Sequence, residues 1–148
     1  MACSDLTCVS YLASVKTLYI DRYPLADYGA EVTRIERFVA ADGPIVAATA
    51  NALGLNARLL SNSVAEDEAG AGVKEILHNW GVNAPSENSV RSITPTSTVV
   101  CDAAGTRTWF PHLIDVVSEL EAYAKASLKK YSPTAARNED KKVFSGLL

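Results

Sequence analysis

Residues 42–60 read DGPIVAATANALGLNARLL. Asp42 or Gly43 can cap a helix, and Pro44 fits its first turn, where a missing N–H leaves no bond unmade. Ile45 to Leu53 is rich in alanine, so another element can pack closely on it. Gly54 stands where a terminating glycine belongs. Ala57 to Leu60 is short and apolar, which suits a buried strand. The stretch therefore reads as a helix followed by a strand.

The pattern extends to both sides. Val15 to Ile20 sets Val, Leu, Tyr and Ile around Thr17 and reads as a strand. Asp21-Arg22-Tyr23-Pro24 ends it, because Pro24 cannot donate to a ladder. Residues 30–40, AEVTRIERFVA, read as extended, while residues 1–14 are weakly patterned. Downstream, Glu66, Asp67 and Glu68 complement a helix N-terminus. Val73, Ile76, Leu77 and Trp80 form one helical face, which Gly81 ends. Ala69-Gly70-Ala71-Gly72 lacks the spacing of a dinucleotide loop, so Gly70 and Gly72 read as close-packing residues. Thr94 to Val100 and Thr106 to Phe110 read as strands joined by an Asp102–Gly105 turn. Leu113, Val116, Val117, Leu120, Tyr123, Ala124 and Leu128 mark a final amphipathic helix, with Glu121 and Lys125 as an i,i+4 pair. Pro85 and Ser86 fall in a loop, and Ser132-Pro133 with the run Arg137–Lys142 reads as a tail. The prediction is a layered α/β domain over 1–131, carrying a small β appendage, and a tail over 132–148.

At 148 residues the chain fits one domain. Fourteen basic against seventeen acidic residues, net −3, argue against a dedicated nucleic-acid surface. Cys3, Cys8 and Cys101 form no CxxC, so neither a disulfide framework nor a metal site is expected, and the thiols read as free. No basic segment precedes the N-terminal apolar residues, and no apolar run approaches the ~18–20 residues of a membrane span. The expectation is a cytoplasmic chain with no membrane and no nucleic-acid partner.

Chemistry-bearing residues are few. There is no GxxxxGK[ST] loop. His78 borders an apolar helix face and reads as surface. His112 and Asp115 could form an acid–base pair, although Asp115 serves equally as a charge before a helix. Cys101 ends a strand, but no sequence feature activates it. Asp21 follows a buried strand, where a carboxylate can accept two hydrogen bonds from a vicinal diol. It can equally cap the turn before Arg22.

Taken in order, Asp21-Arg22-Tyr23-Pro24, the small-residue helix Ala47–Gly54, Leu59-Leu60, Asp67-x-x-Gly70 with Trp80-Gly81-Val82, Thr94-Pro95-Thr96-Ser97-Thr98 and Asp102–Thr108 resemble the N-terminal half of the ribokinase-like (PfkB) carbohydrate kinases. The resemblance spans about residues 15–111. It implies a sugar pocket and a β lid built from parts of 22–39 and 92–110, a lid that joins dimers in several members. It assigns Asp21 to sugar hydroxyls and Arg107 to ligand or partner subunit. Gly43, in the Ala41–Ile45 segment that replaces the family's Gly-Gly doublet, is taken with them as substrate-binding. The departures are Lys16-Thr17 for a Gly-Asp pair, Ile45 near the place of a sugar-binding Asn, and Ala65 for a Gly. Nothing in 112–148 resembles the family's GAGD phosphate motif, its general base or its nucleotide pocket.

The resemblance thus implies a chain degenerate as a kinase that keeps a site for a small polar ligand, a sugar or sugar phosphate, or a dimeric scaffold role. No cofactor is expected, and ATP and Mg enter only if a partner completes the site. The alternative is a working enzyme of sugar or nucleoside metabolism, completed by a partner subunit or running a different reaction through groups such as His112 and Asp115. The apolar lid residues Val32, Ile35, Val99, Trp109 and Phe110 are too many to leave in water and point to a homodimer. Strands 15–20 and 57–62 are expected in one sheet.

Overall fold

The computed structural model describes residues 4–83 and 92–131, with the backbone alone at 123 and 126–131. Cys3, the loop at Pro85–Ser86 and the tail over 132–148 lie outside the described residues. The chain runs β1 (Leu6–Val9), β2 (Ala13–Ile20), β3 (Val32–Ala40), α1 (Asp42–Ala52), β4 (Ala57–Leu60), α2 (Glu68–Asn79), β5 (Thr96–Cys101), β6 (Arg107–His112) and α3 (Val116–Tyr131). This is the expected α/β class.

The strands divide between two sheets. β1 and β4 pair in parallel, Leu6 opposite Ala57 through Val9 opposite Leu60. Cys8, Ala57 and Leu59 on one face of this pair join a core with Leu12, Val39, Ala47, Ala50, Val64, Val73, Leu77 and Val82. Leu12 and Leu77 are wholly buried, and each such side chain contributes about 1.5–3 kcal/mol. Alanines make this packing possible: Ala47 and Ala50 bring α1 against β1 and β4. At the start of α1, a Cβ on Gly43 would stand 2.2 Å from Ser10 Cβ. Only glycine lets the helix approach the end of β1 so closely.

The second sheet has the order β3-β2-β5-β6. β2 is antiparallel to β3 and parallel to β5, and β6 returns antiparallel on β5. Strands 15–20 and 57–60 therefore lie in different sheets, against expectation. β2 sits inside the sheet expected from 22–39 and 92–110, and β1 takes the place beside β4. The physical reason is burial. β2 keeps Lys16 exposed and Ser14, Val15, Leu18 and Tyr19 half-buried, which suits a sheet with a wet side, whereas three of the four β4 residues are buried.

Two local expectations are also corrected. The residue preceding α1 is Ala41, with φ 83° and ψ 156° and no side-chain cap, not Asp42 or Gly43. Gly70 is a close-packing residue, since a Cβ there would meet Ala65 O at 2.0 Å, but Gly72 has nothing within 4 Å. α2 buries Val73 and Leu77 and leaves Trp80 37% exposed at its end. Glu121 and Lys125 pair at 3.2 Å on α3, as read from the sequence.

Candidate functional site

Polar groups concentrate in two places, at opposite ends of β2. That strand has eight residues, so the two places lie roughly 25 Å apart at about 3.3 Å per residue.

The inner place is the junction of the two sheets, beyond the carboxyl ends of β1 and β4. In open α/β sheets this is where ligands bind. Ser10, Asn62 and Gly43 meet here. Asn62 is fully buried and closes the junction, accepting the Leu12 N–H at 2.7 Å and donating to Leu12 O at 2.9 Å. Ser10 Oγ accepts the Gly43 N–H at 3.3 Å. Ser63 donates its N–H to Glu119 of α3 at 2.8 Å, and its hydroxyl bonds the same carboxylate.

Asp67 anchors the other side. Its Oδ1 accepts the Gly70 N–H at 2.7 Å and the Thr94 hydroxyl at 2.6 Å, and its Oδ2 accepts the Thr94 N–H at 2.9 Å. Burial pushes this carboxyl up, but the donors from Thr94 and Gly70 outweigh it and hold it below the usual carboxylate range. Thr94 is wholly buried and its hydroxyl also accepts the Ala65 N–H at 2.9 Å. Among the described residues, no buried side-chain polar atom here lacks a partner. Ile45, in the first turns of α1, is 51% exposed. The junction thus satisfies its own polar groups, and the residue near the position that the resemblance gives to an Asn is apolar.

The outer place lies at the far end of the second sheet. An open groove of about 650 Å³ is lined by Asp21, Arg22, Tyr23, Tyr28, Glu31 and Thr33, among others. Asp21 is exposed, and its carbonyl accepts the Ala103 N–H of the hairpin turn at 3.1 Å. Tyr23 folds back to donate to Val100 O at 2.6 Å. Arg107 lies opposite Cys101 in the neighbouring hairpin, its guanidinium 5.9 Å from the Trp109 ring centroid. Asp21 and Arg107 therefore share one end of the sheet, and Gly43 lies at the other. His112 ends β6 opposite Thr96, at the inner end. Asp115 follows with φ 60° just before α3, and no hydrogen bond or ion pair joins the two side chains among the described residues.

Cys8 and Cys101 are free and buried, and burial pushes the Cys8 thiol up. Among the described residues no cluster of His, Cys, Asp and Glu could hold a metal ion, and no helix is long and apolar enough to cross a membrane. Sequence reading passed over Asn62 and the pairing of Thr94 with Asp67. The signal for the first was the polar run Ser61-Asn62-Ser63 directly after an apolar strand.

No protein-family model and no curated protein matches the sequence. Solved structures do match. A carbohydrate kinase from Agrobacterium tumefaciens superimposes with a TM-score of 0.63 at 15% identity, covering 83% of this chain and 42% of that one. A ribokinase from Arabidopsis thaliana, complexed with ribose and ATP, gives 0.62 at 18% identity, over 75% and 36% of the two chains. Thermotoga maritima ribokinase gives 0.62 at 14% identity, over 74% and 36%. The fold is ribokinase-like. The likeness is one of architecture, and the chain spans about 36–42% of the length of these ribokinase-like structures.

Proposed function

We propose that this chain is a ribokinase-like scaffold that does not phosphorylate sugars by itself, pairs with a second copy, and holds a sugar or sugar phosphate at the outer groove. The observation that carries the reading is the inner junction. The polar groups of Ser10, Asn62 and Asp67 are engaged by the chain's own backbone and side chains, and Ile45 in the first turns of α1 is apolar and exposed. Phosphoryl transfer depends on positioned cationic groups, metal and backbone donors around the phosphates. Among the described residues no such set of groups assembles at the junction.

The outer groove supplies what a polyhydroxy ligand needs. Asp21 and Glu31 can accept from hydroxyls, Tyr23 and Tyr28 offer aromatic surface, and Arg22 and the nearby Arg107 suit a phosphate. The dimer rests on exposed apolar side chains of the second sheet. Ile35 and Phe110 lie on one face and Phe38 and Trp109 on the other; they are 51%, 59%, 45% and 60% exposed, and exposed apolar side chains suit an interaction surface.

The test is turnover. The purified chain, given ATP, Mg²⁺ and ribose or other sugars, should release no ADP above background. Rates of roughly 1–100 per second, typical of kinases, would overturn the reading. One observation favours a second reading: the match covers only 36–42% of the kinase structures. In it, a partner polypeptide supplies the nucleotide side, with ATP and Mg²⁺. Activity that appears only when such a partner is added would favour it.

A further inference from the structure

We infer that the crevice beyond β4 holds a second ligand seat, built for the carboxylate of a small acid, and that α3 keeps it shut with a carboxylate of its own, that of Glu119. The inference goes beyond the outer groove and does not rest on it. β4 ends at Leu60, and Ser63 stands just past its carboxyl end, where open α/β sheets receive their ligands. The Ser63 N–H, at 2.8 Å, and the Ser63 hydroxyl both donate to one oxygen, Oε1 of Glu119. Hydrogen bonds that end on an ionised oxygen are the strong ones, so two donors converging on one point favour a carboxylate there.

The seat is built without Glu119. Asn62, wholly buried, donates to Ser63 O and to Leu12 O, each at 2.9 Å, and accepts the Leu12 N–H at 2.7 Å. Ser61, also buried, donates to Asn62 O at 3.1 Å. These bonds fix the backbone on both sides of the Ser63 N–H, so its direction does not depend on the group that accepts it. Withdrawing Glu119 would leave two half-buried donors aimed at one point and unsatisfied, which favours any other acceptor of the same kind.

The helix that carries the stopper is lightly held. Residues 113–115 join β6 to α3, and Asp115 among them has φ 60°. Of the described side chains of α3, Val116 alone is buried. Ile114 and Val117 on either side of it are 63% and 68% exposed. The tie from Glu119 to Ser63 is therefore a main part of what keeps α3 on the end of β4. A group on a short tether competes at an effective concentration of about millimolar. Free acid displaces it poorly, and the seat opens when α3 lifts.

An NMR titration of the isotopically labelled full chain with sodium acetate, read at the amide of position 63 against sodium chloride of equal ionic strength, tests this. In Glu119→Ala the resonance should move saturably with acetate and stay still in chloride. The wild type, and Glu119→Gln, whose side-chain oxygen still fills the seat, should bind acetate at least about tenfold more weakly. Adding Ser63→Ala to E119A removes one of the two donors and should weaken acetate about tenfold. If E119A is unfolded in buffer, acetate should refold it and chloride should not. An E119A amide that ignores acetate, an equal response in the wild type, an affinity unchanged by Ser63→Ala, or an unfolded E119A that acetate fails to rescue overturns the inference.

Discussion

Replacing Asp67 with asparagine isolates what holds the junction together. The carboxylate accepts three hydrogen bonds, one from Gly70 and two from Thr94. Asparagine keeps one acceptor oxygen and turns an NH₂ toward donors that previously met oxygen. The helix cap on α2 is weakened, a loss of about 0.5–2 kcal/mol. A donor of Thr94, wholly buried, is left without its acceptor, at about 1–3 kcal/mol. Together the change should cost roughly 2–4 kcal/mol at neutral pH.

The pH dependence follows from the direction of the shift. The folded-state pKa of Asp67 lies below its usual value. Its stabilisation is therefore complete above the unfolded-state pKa and is lost as pH falls through the depressed folded-state value. Urea unfolding of wild type and Asp67→Asn, followed by circular dichroism at pH 7 and at acid pH, reads the effect. The gap should be widest at pH 7 and narrow once the wild-type carboxyl is protonated. A variant as stable as wild type at pH 7, or a gap constant down through that range, would refute the network as a source of stability.

Ala41→Gly should raise stability by about 1 kcal/mol in the same urea assay. Ala41 occupies φ 83°, ψ 156°, a glycine region costing about 1–3 kcal/mol for other residues, partly offset by about 0.4–1 kcal/mol of added unfolded-state freedom. A destabilised variant would show that the Ala41 methyl contributes packing worth more than the strain. Asp21→Asn should weaken binding of ribose or a ribose phosphate in calorimetry while leaving the urea midpoint nearly unchanged. Equal affinity would reduce Asp21 to a turn residue.

Local patterns carried most elements. The apolar spacing of Val73 and Leu77, the terminating Gly54 and Gly81, and the Asp102–Gly105 turn each depend on side chains a few residues apart, so they are legible in one dimension. The resemblance to ribokinase-like kinases was legible too, from the order of motifs. β1 was not. Leu6–Val9 has only four residues, too few to show a period, and its partner Ala57–Leu60 lies 51 residues on in register. Without β1, the longer strand β2 was assigned its place.

That substitution also decided where Asp21 stands. A carboxylate after a core strand would have faced the ligand crevice, but Asp21 follows a strand of the second sheet and stands at its outer end. Gly43 and Arg107, read as parts of one pocket, fall at opposite ends of that sheet. The burial of Asn62 between Leu12 and Ser63, and the three bonds from Thr94 and Gly70 to Asp67, likewise join segments up to 50 residues apart. The sequence by itself determined which segments form helices and strands, because near neighbours decide those. Only the tertiary structure decided which strands share a sheet and which polar groups meet, because both depend on contacts between segments remote along the chain.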